Sequence, residues 1–168
     1  MNTVAHFGSF LLALAVPTAL LSTLFYIIGV QKHADQLIVA ARRANHAVFA
    51  LISLAALLVI GAFLANNYSI MYVYSYSSKS LPLFFKVTGL WAGLDGSLLL
   101  WTWLVSLYSF IVLKQNQSRN ADWMPIINAC MMFVLIFFVG LMLFSNNPFT
   151  PVPGGGTPPD GRGLNPLL

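Results

Sequence analysis

Four long stretches of this sequence contain no Asp, Glu, Lys or Arg, and they constrain the fold more than any other feature. They cover residues 1–31, 44–78, 96–113 and 123–159. A helix needs about 20 apolar residues to cross a hydrocarbon core about 30 Å thick. The stretches therefore predict four transmembrane helices, at residues 7–30, 44–64, 97–113 and 125–144.

The composition excludes a water-soluble globular domain. The chain is 58% hydrophobic and only 7% charged, whereas a soluble domain carries about 25% charged residues. The net charge is +4. The basic residues of the chain lie in short segments between apolar runs. This pattern favours loops beside a membrane over binding to nucleic acid. The first apolar stretch is too long for a cleaved signal peptide and has no basic residue before Lys32, so it predicts a retained helix.

The positions of the basic residues predict the orientation. One side of the predicted bundle carries five of them, namely Lys32, Arg42, Arg43, Lys114 and Arg119. The other side carries three, namely Lys79, Lys86 and Arg162. Because cytoplasmic loops carry an excess of Lys and Arg, both termini are expected outside.

The sequence thus predicts an all-α membrane protein in two parts. Residues 1–144 form a four-helix transmembrane module with an outer loop at 66–96. Residues 145–168 form an extended outer tail, interpreted as the start of a loop in a longer protein. The tail holds six of the nine prolines and five of the twelve glycines, a composition typical of irregular structure. Within it Phe149, Leu164 and Leu167 offer points at which it could dock.

Two further patterns concern helix ends and helix contacts. Asp95 and Ser97 are residue types that cap a helix N-terminus, and they precede the third predicted helix. Tyr68, Tyr72 and Tyr76 recur every four residues, which favours an aromatic belt at the membrane interface, although Tyr72, Tyr74 and Tyr76 also suit a strand. Gly61 and Gly140, with their Ala and Ser neighbours, allow close helix contacts where the module packs against the rest of a larger protein.

Two motifs lie on the predicted outer side. The first includes Trp91, Gly93, Asp95, Gly96, Ser97 and Trp101. The second, in the tail, includes Asn147, Pro148, Asp160, Gly161, Asn165 and Pro166. Both resemble the CcmF and NrfE family of cytochrome c-type biogenesis proteins, in which similar motifs follow the second helix and occupy the next outer loop. One departure is Leu94-Asp95, where the family often has His-Glu.

The resemblance implies a part of a heme lyase system that attaches heme to apocytochrome c. The implied location is the bacterial inner membrane with periplasmic outer loops, and the mitochondrial inner membrane is less favoured. The implied partners are the remainder of a CcmF-like protein, CcmE-like and CcmH-like maturation proteins, apocytochrome c and membrane lipid, with no nucleic acid. The complex would handle heme, and this chain alone is expected to bind none.

The residues themselves predict no catalytic or metal centre in this chain. It has no paired carboxylates, no metal-ligand cluster and no nucleophile beside a base. His6 precedes the first predicted helix on the outer side, His33 lies in an inner loop, and His46 starts the second predicted helix at the inner surface. None falls at mid-membrane depth, so only His6 stays a candidate for an outer contact with heme.

Several alternatives remain open at this stage. The chain could be one subunit of a split heme lyase or a partial reading frame. It could also be a small transporter or channel subunit, or a structural membrane-assembly protein without a heme function. Transporters usually place ionisable residues within their spans, whereas the four predicted spans contain no Asp, Glu, Lys or Arg.

Overall fold

The computed structural model describes residues 3–116, 122–154 and 156–163, and it is built from helices. The α-helices are α1 (Thr3–Gln31), α2 (Asp35–Leu64), α3 (Met71–Tyr76), α4 (Leu83–Thr88), α5 (Leu94–Asn116) and α6 (Met124–Phe144). A 3₁₀ turn, Gly89–Trp91, connects α4 to α5. The prediction of an all-α fold is confirmed.

Four of these helices, α1, α2, α5 and α6, are long and apolar enough to cross a membrane. This confirms the predicted number of spans, but α2 begins at Asp35, nine residues before the predicted start at residue 44. A charge-free stretch marks only the part of a helix inside the hydrocarbon, and the helix itself continues into the headgroup region. Arg42, Arg43 and His46 therefore lie within α2, and the prediction that His46 starts this helix is wrong.

The start of α5 also differs from the prediction. The helix begins at Leu94, so Asp95 lies in its first turn, and neither Asp95 nor Ser97 is the N-cap. The carboxylate of Asp95 is still close to the positive end of the helix dipole. With 23 residues, α5 is about 34 Å long at 1.5 Å per residue, enough to span a bilayer.

Small side chains line the contacts between the spanning helices. α1 packs against α2 and α6, and α5 packs against the same two helices. Ala15, Ala19, Ala55 and Ser106 are buried in this packing, and residues of this size let helix backbones approach closely in a membrane. Gly61 and Gly140 are not part of this packing, because an added methyl group at either glycine would meet nothing within 4 Å among the described residues. Close contacts of these glycines with further helices stay a prediction.

A buried polar cluster joins α2, α5 and α6. The side-chain amide of Asn45 donates hydrogen bonds to Ser109 Oγ at 2.9 Å and to Asn128 Oδ1 at 3.2 Å. The amide of Asn128 donates to the carbonyl of Met124 at 2.8 Å. Such interhelical hydrogen bonds stabilise polar groups inside a membrane bundle. Only Asn128 stands out in the sequence, because it interrupts an apolar run, whereas Asn45 lies between Arg43 and His46 in a polar stretch.

The alternating direction of the four helices separates the two ends of the bundle. The start of α1, the end of α2, the start of α5 and the end of α6 share one end. There the outer segment, residues 66–93, meets the described part of the tail, residues 145–154 and 156–163. We call these two segments together the loop layer. Lys32, Arg42, Arg43 and Lys114 belong to helix ends and a turn at the opposite end.

Candidate functional site

The loop layer is the candidate site, and a buried tyrosine holds its first half together. The hydroxyl of Tyr72 donates to the carbonyl of Gly89 at 3.0 Å and accepts a hydrogen bond from the N–H of Gly93 at 3.0 Å. The tyrosine ring packs edge-on against Phe63, with ring centroids 5.6 Å apart. Burial raises the pKa of Tyr72 above its ordinary value, so the hydroxyl stays protonated and keeps its donor. Tyr72 thus joins α3 and the end of α2 to the turn before α5.

The turn before α5 contains most of the first motif. Ser97 Oγ donates to the carbonyl of Trp91 at 3.2 Å, which ties the first turn of α5 to the 3₁₀ turn. Gly96 lies where the carbonyl oxygen of Leu90 and the hydroxyl of Tyr72 approach the backbone most closely, and they leave no room for a Cβ atom. Glycine is required at this position by the close approach, not by an unusual backbone angle.

The tail begins with a tight turn that anchors it to α1. The N–H of Thr150 donates to the carbonyl of Asn147 at 3.1 Å, which closes a turn with Pro148 in its second position, where proline is favoured. The side chain of Asn147 accepts from the N–H of Phe149 at 3.0 Å and donates to Ser9 Oγ at 3.0 Å. Phe149 is 0% exposed and packs against Gly8, so the prediction that Phe149 docks is confirmed.

Backbone hydrogen bonds then join the tail to the outer segment. The N–H of Met71 donates to the carbonyl of Thr150 at 2.8 Å, and the N–H of Val152 donates to the carbonyl of Ser69 at 3.0 Å. These bonds form an isolated antiparallel bridge between Ile70 and Pro151. Proline lacks an N–H group and fits a bridge in which the neighbouring residues supply the donors.

The second tail motif binds the outer segment by a carboxylate. Asp160 Oδ1 accepts hydrogen bonds from the N–H of Lys79 at 2.8 Å and of Gly161 at 2.8 Å. These donors hold the pKa of the Asp160 carboxyl below its ordinary value. Burial, and then the nearby Asp160 carboxylate, raise the pKa of Tyr68. The carbonyl of Ser77 packs directly on Gly161.

The final described residues continue this contact. The N–H of Arg162 donates to the carbonyl of Tyr74 at 2.8 Å, and the N–H of Gly163 donates to the carbonyl of Ser77 at 2.9 Å. The guanidinium of Arg162 lies 5.2 Å from the ring centroid of Tyr74, within the range of a cation–π interaction. The described tail is therefore a docked part of the loop layer.

We expect Asp160→Asn to loosen the tail and to remove a sensitivity to acid. The folded-state pKa of Asp160 is lowered, so its carboxylate stabilises docking fully above the unfolded-state pKa, and this stabilisation is lost as the pH falls through the folded-state value. Hydrogen–deuterium exchange of peptides from the tail, corrected for intrinsic exchange rates, should be constant near neutral pH and rise in strong acid. In Asp160→Asn it should be faster at neutral pH already.

Asp122→Asn is the matched control, because Asp122 is an exposed carboxylate just before α6, at the opposite end of the bundle. It should leave exchange in the tail unchanged. Equal tail exchange in Asp160→Asn and the parent protein at neutral pH would contradict the assigned role of the Asp160 carboxylate.

The structure brings together some of the sequence-predicted site residues and separates others. Gly93 and Gly96 lie against the Tyr72 hydroxyl, and Ser97 binds the 3₁₀ turn through Trp91. The exposed Trp101 lies further along α5. Asn165 and Pro166, like the docking candidates Leu164 and Leu167, lie outside the described residues.

The predicted aromatic belt is wrong for two of its three tyrosines. Tyr68 and Tyr72 are buried inside the loop layer, where their hydroxyls serve protein groups. A spacing of four residues is common to a belt and to a short helix that packs on the protein, and α3 is such a helix. The sequence could not separate the two, because the partners of Tyr72 lie 17 and 21 residues further along the chain.

The three histidines do not form a heme site among the residues that the structure describes. His6 is exposed in α1 at the loop-layer end, His33 lies in the turn between α1 and α2, and His46 packs edge-on against Phe110 with ring centroids 5.1 Å apart. A heme iron takes axial ligands such as His that face one cavity. His6 lies at the opposite end of the bundle from His33, and the ring of His46 packs on Phe110, so the three imidazoles do not meet at one cavity.

Comparison with known proteins gives one consistent result, although no protein-family model matches the chain. The cytochrome c-type biogenesis protein CcmF of Haemophilus influenzae is 32% identical over 98% of this chain, and that of Escherichia coli is 34% identical over 96%. The cytochrome c-type biogenesis protein NrfE of Haemophilus influenzae is 30% identical over 96%. Each match covers 25% of the relative, so the chain spans about a quarter of the length of these curated relatives.

A solved structure agrees with the sequence relatives. The cytochrome c heme lyase CcmF superposes with a TM-score of 0.77 and 26% identity, over 89% of this chain and 25% of that chain. Four apolar helices and this likeness make the protein a multi-pass membrane protein. The chain is homologous to the N-terminal quarter of the CcmF and NrfE family of cytochrome c-type biogenesis proteins.

Proposed function

We propose that this chain is the N-terminal membrane module of a heme lyase system, which attaches heme to apocytochrome c. The observation that carries the proposal is the homology along almost the entire chain to proteins of cytochrome c-type biogenesis. The loop layer adds support, because residues 69–79 bind both the turn before α5, through Tyr72 and Gly93, and the described part of the tail, through Lys79 and Asp160. A surface built from two distant parts of a chain is suited to positioning a partner.

We place the loop layer on the periplasmic side of the bacterial inner membrane, with both termini outside. The distribution of basic residues supports this orientation. Lys32, Arg42, Arg43 and Lys114 belong to the end opposite the loop layer, and cytoplasmic ends of membrane helices carry an excess of Lys and Arg.

The proposed role of this chain is structural positioning. The axial ligands of heme would come from the remainder of a CcmF-like protein. The groups that act in thioether formation would come from it as well. CcmE-like and CcmH-like proteins and apocytochrome c are the proposed partners at the loop layer. The exposed side chain of His6, at the same end, remains the one candidate of this chain for an outer contact with heme.

The test compares alanine substitutions of two tryptophans that lie at opposite ends of the bundle. Trp91 and Trp123 are both exposed, and only Trp91 belongs to the loop layer. We expect Trp91→Ala, expressed in place of the native chain in its host, to lower heme-bound cytochrome c several-fold, because it removes contact surface without opening a core. Trp123→Ala should leave it unchanged. Heme-stained gels measure the product, and an immunoblot measures the amount of the membrane protein.

Co-purification measures partner binding by the same two variants. Trp91→Ala should recover less of the CcmE-like or CcmH-like protein from solubilised membranes than Trp123→Ala. Parental levels of heme-bound cytochrome c in Trp91→Ala, at equal amounts of membrane protein, would contradict an interaction role for this part of the loop layer.

A further inference from the structure

The short helix α4 exposes apolar side chains and buries its charged one, the opposite of a helix that faces water. Leu83 and Phe84 are 70% and 72% exposed, whereas Lys86 is only 6% exposed. Val87 is also exposed. A helix on a water-facing surface places its charge outward and its apolar side chains inward. The environment outside α4 must therefore favour apolar side chains over an ammonium group.

A specific contact holds the charge of Lys86 on the protein side. Lys86 Nζ donates to Asn66 Oδ1 at 2.6 Å, and the hydroxyl of Tyr68 donates to the same oxygen at 3.0 Å. Asn66 follows the last turn of α2, in the left-handed conformation with φ of 53°. The C-terminal end of a helix carries partial negative charge, which favours a nearby cation. Lys86 is thus satisfied without reaching solvent.

The segment that follows α4 lies beside the last turns of a membrane-spanning helix. Gly89 packs against the ring of Phe63. Leu90 lines an apolar cleft of about 240 Å³ between α2 and α5, together with Leu57 and Ile60. Leu57 precedes the end of α2 by seven residues, which is about 10 Å along a helix. This segment therefore lies beside the last two turns of α2.

We propose that α4 is an interfacial helix whose outward face, formed by Leu83, Phe84 and Val87, inserts into the boundary between headgroups and acyl chains of the bilayer. Helices of this kind bury their apolar face about 5–10 Å into the boundary between headgroups and acyl chains. The contacts of Gly89 and Leu90 with α2 hold α4 beside the end of a membrane-spanning helix, where such a boundary lies. The face also adjoins an exposed apolar surface of the spanning helix α2, because α4 packs on α2, and Leu57 and Leu64 of α2 are exposed. The occupant is lipid, and not another protein segment.

Spin labels on single cysteines test this directly. Cys130 is the one cysteine in the chain, so Cys130→Ser gives a background to which Phe84→Cys or Leu83→Cys is added. Both positions are largely exposed, so the label disturbs no core. The control is Ser80→Cys, an exposed polar position three residues before α4. The protein is studied in native membranes, with whatever partners it has there, by electron paramagnetic resonance.

Oxygen concentrates in lipid, and a charged or polar nickel chelate stays in water, so their relative collision rates report depth. We expect labels at residues 83 and 84 to show a several-fold higher ratio of oxygen to nickel collisions than the label at residue 80. A nickel-accessible label at both positions would place α4 in water and overturn the proposal. A label shielded from both reagents would show that protein covers the face, and it would overturn the proposal equally.

Discussion

Replacing Gly96 with alanine is expected to be the most damaging small substitution in the loop layer. The new Cβ atom would overlap the carbonyl oxygen of Leu90 and the hydroxyl of Tyr72. A backbone carbonyl cannot move away as a flexible side chain does, so the 3₁₀ turn must shift and the hydrogen bonds of Tyr72 to Gly89 and Gly93 must break. Overpacking costs about 1–3 kcal/mol, and the lost hydrogen bonds add about 1 kcal/mol each.

Gly61→Ala is the matched control for this prediction. Gly61 is also a glycine within a spanning helix, but an added methyl group there meets nothing within 4 Å. Alanine is favoured over glycine inside a helix by about 0.5–1 kcal/mol, so Gly61→Ala should be neutral or slightly stabilising. Thermal unfolding of the detergent-solubilised variants measures both. Equal unfolding temperatures for Gly96→Ala and Gly61→Ala would contradict the close packing around Gly96.

Phe149→Ala should detach the start of the tail. The side chain is 0% exposed and packs against α1 at Gly8, and removal of a buried Phe side chain costs about 3–5 kcal/mol. We expect fast hydrogen exchange in residues 145–154 and at the N–H of Met71, whose acceptor is the carbonyl of Thr150. The unfolding temperature should fall as well.

Phe144→Ala removes the same atoms from a different environment. Phe144 is the last residue of α6 and is 91% exposed, so its loss should leave hydrogen exchange in the tail and at Met71 at the parental rate. If Phe144→Ala and Phe149→Ala have the same exchange profile, the anchoring role of Phe149 is wrong.

The number of spanning helices could be predicted because it depends on local composition. The absence of charge over about 20 residues is sufficient to identify a span. The starts of α2 and α5 could not be predicted in the same way, since Arg42 and Asp95 lie within helices that extend beyond the apolar core. Charge patterns locate the hydrocarbon, and helix ends depend on backbone hydrogen bonds that composition does not report.

In the loop layer, too, features that depend on local composition could be predicted, and contacts between distant residues could not. Proline and glycine content correctly indicated that the tail has no helix of its own in its described part, but it could not indicate which surface receives the tail. Asp160 was selected as a motif residue, whereas its partner, the N–H of Lys79, is a backbone group 81 residues away. No side-chain pattern identifies such an acceptor or donor, because every residue except proline offers the same backbone groups.

The contact between Asn147 and Ser9 links positions 138 residues apart. Synthesis proceeds from the N-terminus, so the ribosome makes Ser9 and Gly8 long before it makes Asn147 and Phe149. During that interval four helices must insert, while the surface of α1 that receives Phe149 and the N–H of Met71 have no tail to bind. This end of the molecule is therefore completed only after α6 has been made, when Asn147 and Phe149 reach the surface of α1 that was synthesised first.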